Sequence, residues 1–113
     1  RYMESFALKN PETIKQEMDK LADEMSEAKY KYNLLDSNTK VIFAKLCLQA
    51  KQKHNCSMSE AEKHAYIQQE YKLHIEGLAT ASSEYDRIKA KFNNYVSYVE
   101  YMRSYISAQK HLN

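Results

Sequence analysis

Glycine and proline are almost missing from this chain, with one of each in 113 residues. That excludes a protein built on tight turns, hairpins or a glycine-rich phosphate loop, since each needs those residues at fixed places. Tryptophan is absent, and cysteine occurs only at Cys47 and Cys56. Two cysteines make no disulfide framework, and both are expected as reduced thiols of a cytoplasmic protein. No apolar run approaches the roughly 18 residues of a membrane span, and no signal peptide is visible. A dominant charge is lacking too: 17 Lys and Arg stand against 15 Asp and Glu, a formal net charge of +2.

What the chain does have is periodicity. From Pro11 to Lys53 one stripe recurs every three or four residues: Ile14, Met18, Leu21, Met25, Ala28, Tyr32, Leu35, Thr39, Ile42, Leu46 and Gln49. A mean spacing of 3.5 is the seam of a helix packed along its length on another helix. Such a helix would be roughly 65 Å long at 1.5 Å per residue, so a second long element must cover it. Asn10 reads as its N-cap, with Pro11 at the first helical position. A second apolar row, Leu34, Val41 and Leu48, with Phe43 beside it, predicts burial on nearly two sides in the later half. Residues 10–27 carry six acids against Lys15 and Lys20, whereas 38–54 carry Lys40, Lys45, Lys51 and Lys53 and no acid. The helix dipole favours that polarity and accounts for part of it.

His54-Asn55-Cys56 breaks the pattern, and Ser57 with Glu60 fits a capping box. A short helix is expected over about 58–68, turning Ala61 and Ala65 inward over the second row. The last helix is expected over about 69–111. Its seam reads Tyr71, Ile75, Leu78, Ala81, Tyr85, Ile88, Phe92, Tyr95, Val99, Met102 and Ile106. The steps from Ile75 to Leu78 to Ala81 slip the heptad phase beside Gly77, which predicts a bend or local overwinding there. A late second stripe is Tyr98, Tyr101, Tyr105, Ala108 and Leu112. The fold class is therefore all-α: a long antiparallel, coiled-coil-like hairpin with a short connecting helix, forming a single domain. A lone hairpin buries little surface, so the chain is expected to form a homodimer in which Tyr98, Tyr101 and Tyr105 join two copies into a helical bundle; the competing outcome is a monomer whose arm of residues 1–9, with Phe6 and Leu8, lies over these rings.

The chemistry-bearing residues are sparse. His54, Cys56 and His64 lie close in sequence, but paired metal-ligand motifs are missing, and none of the four histidines follows a Glu by three residues. Neither a metal site, a cofactor nor a set of catalytic residues is expected. Nucleic acid is the more serious candidate. Lys40, Lys45, Lys51 and Lys53 form one basic zone, Arg87, Lys89 and Lys91 another, and Arg103 and Lys110 a third. Tyr98, Tyr101 and Tyr105 could stack bases beside Arg103, although a stripe at helical spacing is more often packing.

The stretch from Tyr71 to Ala81, reading Tyr-Lys-Leu-His-Ile-Glu-Gly-Leu-Ala-Thr-Ala, resembles a motif of small helical proteins of phages and prophages. The order of parts is similar as well: a first helix with an Ala/Lys-rich end (Ala44-Lys45-Leu46 to Ala50-Lys51), then Ser59-Glu60-Ala61, then a terminal helix with Arg103, Ser104 and Lys110. Met102 stands where that family often has Trp, and Lys110 where it usually has Arg. The resemblance implies an accessory role beside phage recombination and single-strand annealing functions, in the bacterial cytoplasm, with no catalytic residues. The leading expectation is thus a non-enzymatic protein that binds DNA, a DNA-processing protein of phage or host, or both. Its rivals are an anti-CRISPR-like inhibitor that occupies a host protein's surface and a structural dimerisation module.

Overall fold

A computed structural model describes residues 10–112 and is all-α, with no strand among them. Helix α1 spans Pro11–His54, α2 spans Met58–Tyr66 and α3 spans Gln69–Leu112. The long helices α1 and α3 pack as a hairpin, with α2 as the short connector. The expected arm, with Phe6 and Leu8, lies outside the described residues.

Local chemistry sets each helix end. Asn10 caps α1: its Oδ1 accepts the Thr13 amide at 2.8 Å and its carbonyl accepts the Ile14 amide at 3.1 Å. Asn55 stops α1 by turning left-handed, with φ 48, a region asparagine tolerates better than most residues. Ser57 caps α2, its hydroxyl accepting the Glu60 amide at 3.2 Å, which is one half of the expected capping box. Gln68 then supplies the first carbonyl of α3, to the Lys72 amide at 3.1 Å.

The chain groups into two compact units. One is Ala28–Tyr85. Its core joins Leu46, Cys47 and Ala50 of α1 to Ala61 and Ala65 of α2, with Ile42, Phe43, Cys56 and Tyr71 packed around them. Both alanines have 0% exposure, so α2 approaches α1 with no room for a larger side chain. Phe43, Tyr66 and Tyr71 close the rim as a ring cluster, with centroids 4.8 to 5.6 Å apart. The second unit holds the described residues up to Glu27 together with the described residues from Asp86 on. Ile14 and Tyr98 form its core, with Met18, Tyr95, Val99 and Met102 around them. The Tyr95 hydroxyl donates to the Glu17 carboxylate, tying α3 to α1 within this unit.

Three expected seam positions are corrected. Gln49 is exposed and Ala50 is buried instead, because α2 draws the stripe sideways onto Phe43, Cys47 and Ala50. Ile75 is 38% exposed; His74 turns inward in its place. The seam then steps from Tyr71 to His74 to Leu78, three and four, and the phase slip disappears. Ile106, the third, is 51% exposed because it borders an open groove rather than a closed seam. The His74 imidazole satisfies its polarity across the helices: Nε2 lies 2.9 Å from the Leu35 carbonyl and 2.9 Å from Thr39 Oγ1. Only a proton on Nε2 serves the carbonyl, so that nitrogen carries it. Thr39 closes the triangle by donating to the same carbonyl at 3.0 Å.

Gly77 sits inside the continuous α3, and a Cβ added there would meet nothing within 4 Å. Gly77→Ala should therefore raise the unfolding free energy by about 0.5–1 kcal/mol, since alanine removes backbone freedom from the unfolded chain. Urea denaturation followed by circular dichroism measures it; a fall in stability would place that Cβ in a crowded site.

Candidate binding surfaces

The row Leu34, Val41 and Leu48, expected under α2, is not covered. These residues are 48%, 65% and 59% exposed. A step of seven residues carries an α-helix about 20° short of two turns, so the three lie nearly one above another on the face away from α2. Leu73 of α3, 56% exposed, joins them. Lys45 and Glu70 bond at 2.8 Å across the helices, and each lies within three or four residues of these leucines. This salt bridge crosses the same face of the Ala28–Tyr85 unit, on which exposed Ser37, Asn38 and Ala44 separate the large apolar side chains.

The lysine zone of α1 does not form one surface. At about 100° per residue, Lys40 and Lys51 share a side while Lys45 and Lys53 point roughly 140° or more away from Lys40. All four are exposed, but the charge of Lys45 is already matched by Glu70, so it is not the free cation the sequence suggested. In α3, Lys89 faces away from Arg87 and Lys91 by about 200°. Each of these zones is basic in sequence and divided in space.

The tyrosine stripe divides as well. Tyr98 is 6% exposed and packs on Ile14, so it belongs to the core and not to an interface between copies. The seam widens here to take both Tyr98 and Val99 against the first turns of α1. Tyr101 and Tyr105 remain 52% and 50% exposed, their rings 6.5 Å apart and inclined by 27°. Arg103 lies two residues from each, about 200° around the helix, so it does not stand beside these rings. It lines, with Lys110, a groove of about 920 Å³ in the unit that contains Ile14 and Tyr98. Ile14, Met18, Phe92, Val99, Met102 and Ile106 give that groove an apolar lining, and Lys15 and Asp19, bonded at 3.3 Å, border it. The joint position of Arg103 and Lys110 could have been read from their spacing of seven, since both fall on one helix face.

The connector holds the remaining chemistry. His54 and His64 stack with centroids 4.1 Å apart and planes at 11°, a face-to-face arrangement that does not converge their nitrogens. Among the described residues, no group of three or more His, Cys, Asp or Glu could hold a metal ion. Both cysteines are free thiols. Burial pushes the Cys47 thiol above its ordinary range, and the Glu62 carboxylate pushes it further. Stability held by the protonated thiol is full below the unfolded value of about 8.5 and is lost as pH rises through the higher folded value. Cys47→Ala should therefore flatten the loss of stability above about pH 8.5. Titration with Ellman's reagent at neutral pH should modify Cys56 first, with Cys47 reacting only on unfolding; equal rates would contradict its burial.

Fold and surfaces together define a helical-hairpin protein with apolar faces left open on both of its units. Comparison with models of protein families, with curated proteins and with solved structures returned no match. No helix among the described residues is long and apolar enough to cross a membrane.

Proposed function

We propose that the protein is a non-enzymatic accessory protein that works by binding another protein through the exposed face of its Ala28–Tyr85 unit. One observation carries this reading: Leu34, Val41, Leu48 and Leu73 are all about half exposed or more on one face. Exposed large apolar side chains repeated along one face are a common mark of a surface that a partner covers. The resemblance of residues 71–81 and 103–110 to phage and prophage proteins supports a partner among DNA-processing proteins of phage or bacterial host. An inhibitor of host defence would use the same surface, since it too acts by occupying a partner.

Direct binding of nucleic acid is the second reading. The paired, exposed rings of Tyr101 and Tyr105 favour it, as aromatic faces on which unpaired bases stack. Affinity capture from bacterial lysate, with and without nuclease, separates the two. The first reading expects a protein retained after nuclease treatment and lost in Val41→Asp. Capture abolished by nuclease, with salt-sensitive binding to single-stranded DNA, would replace it with the second.

A further inference from the structure

The groove of about 920 Å³ beside Ile14 and Tyr98 plays no part in the proposed function, and the residues that line it all belong to one unit. Its polarity is one-ended. The contact of Ile14 with Tyr98 and the bond of Tyr95 to Glu17 set α1 antiparallel to α3 here, so Phe92 stands level with Met18 and Ala22. The charges on that half are Lys15 and Asp19, which bond each other at 3.3 Å. Towards the start of α1 the lining becomes cationic. Arg103 and Lys110 share one face of α3, with Ser107 between them. Among the described residues neither cation has a carboxylate partner. An apolar trough thus runs into two uncompensated positive charges.

We infer that this groove binds a free single-chain anionic amphiphile, with its carboxylate at Arg103, Ser107 and Lys110 and its chain lying over Met102, Ile14 and Met18 towards Phe92. The site lies in the other unit from the exposed aliphatic row and does not depend on the protein-binding reading. Volume, polarity and length select the occupant. The volume falls in the range of small-ligand pockets, which are apolar with a few converging polar groups. Cations gathered at one end suit a ligand with one head and one tail. An acidic helix would need them along a whole flank, and on α1 the Lys15–Asp19 bond already closes that flank. From Phe92 to Arg103, α3 rises about 16 Å, the length of an extended chain of about 12–14 carbons. Met18 and Met102 are flexible and polarisable enough to follow such a chain. A second copy supplies no anion: an isologous contact repeats the same patch, whose one acid, Asp19, is already bonded. Nucleic acid phosphates would meet the cations and leave the apolar half unfilled.

The test titrates the full chain with decanoate, dodecanoate and tetradecanoate by calorimetry, each below its micelle concentration. Affinity should rise about twofold or more for each added methylene, the gain of a chain about half covered in an open groove. Dodecyltrimethylammonium, with the same tail and a cationic head, should bind at least about tenfold more weakly than dodecanoate. An Arg103→Gln, Lys110→Gln double variant should lose that preference. Ile106→Asp should weaken dodecanoate binding by about tenfold or more, since it sets a like charge beside the ligand. Both variants should keep the parent's helix content, because all three side chains are exposed. Affinity that ignores chain length, that is equal for the two head groups, or that is unchanged in the variants overturns the inference. So does binding to phosphatidylglycerol vesicles with none to the free carboxylates, which would give the groove to a membrane surface. A dimer in sedimentation that Ile106→Asp abolishes would give it to a second copy, and a polypeptide captured by the parent but not by the double variant would give it to a protein; either result overturns the inference as well.

Discussion

Leu46→Ala should lower the unfolding free energy by about 2–4 kcal/mol, whereas Leu48→Ala should change it by about 0.5 kcal/mol or less. The two leucines are two residues apart in one helix and share the same propensity, so only packing separates them. Leu46 is 4% exposed in the core that joins α1 to α2. Truncating it removes buried methyl groups and leaves a cavity that the fully buried Ala61 and Ala65 cannot fill. Leu48 is 59% exposed and leaves no cavity. Chemical denaturation of both variants measures the contrast. Equal losses would mean that α2 covers the row Leu34, Val41 and Leu48 after all, and would remove the surface on which the proposed function rests.

The second large effect is at the other unit. Tyr98→Ala should cost about 3 kcal/mol, near the lower end for buried aromatics because the unit is a thin pair of helices. Its ring packs on Ile14 and is 6% exposed, so its loss opens the core of that unit. Tyr105→Ala, at a ring half exposed, should stay within about 0.5 kcal/mol of the parent. Thermal unfolding reads both. A Tyr98 variant as stable as the parent would return that residue to a surface stripe and revive a dimer joined through it.

Much of the fold was legible because the seams are long and nearly regular. The stripe from Ile14 to Leu46 holds in the structure, and Asn10, Asn55 and Ser57 end or start helices where short polar side chains and tolerance of positive φ put such residues. One of the errors came from weighting hydropathy above spacing. Choosing the most apolar residue at each step picked Ile75 over His74, because the hydrogen bonds that make a histidine acceptable in a seam come from Thr39 and a carbonyl on the other helix. The regular three-four spacing, weighted above hydropathy, would have found it. The tyrosines show the same limit: spacing put Tyr98, Tyr101 and Tyr105 in one row, but only the position of Ile14 decides that the first is core.

The candidate surface was less legible than the fold. The row Leu34, Val41 and Leu48 was visible as a repeat of seven, and an unpartnered repeat was assigned to the nearest available cover, α2. That helix instead inserts Ala61 and Ala65 against Leu46, Cys47 and Ala50, whose small or slim side chains allow close approach. Net charge over a window had the opposite weakness. Four lysines in a short stretch look like one zone until helical rotation spreads them and Glu70 takes one of them. A count made by helix face separates them from sequence alone.

The protein-binding claim is tested most directly at Val41, which is 65% exposed at the centre of the open face. A photo-crosslinking benzoylphenylalanine at that position, irradiated in nuclease-treated bacterial lysate, reports what touches it. The expected result is an adduct to a second, different polypeptide, absent when Leu48→Asp is introduced into the same chain. Adducts only between copies of this chain, or none at Val41 while the same probe at Tyr101 captures nucleic acid before nuclease treatment, would contradict it.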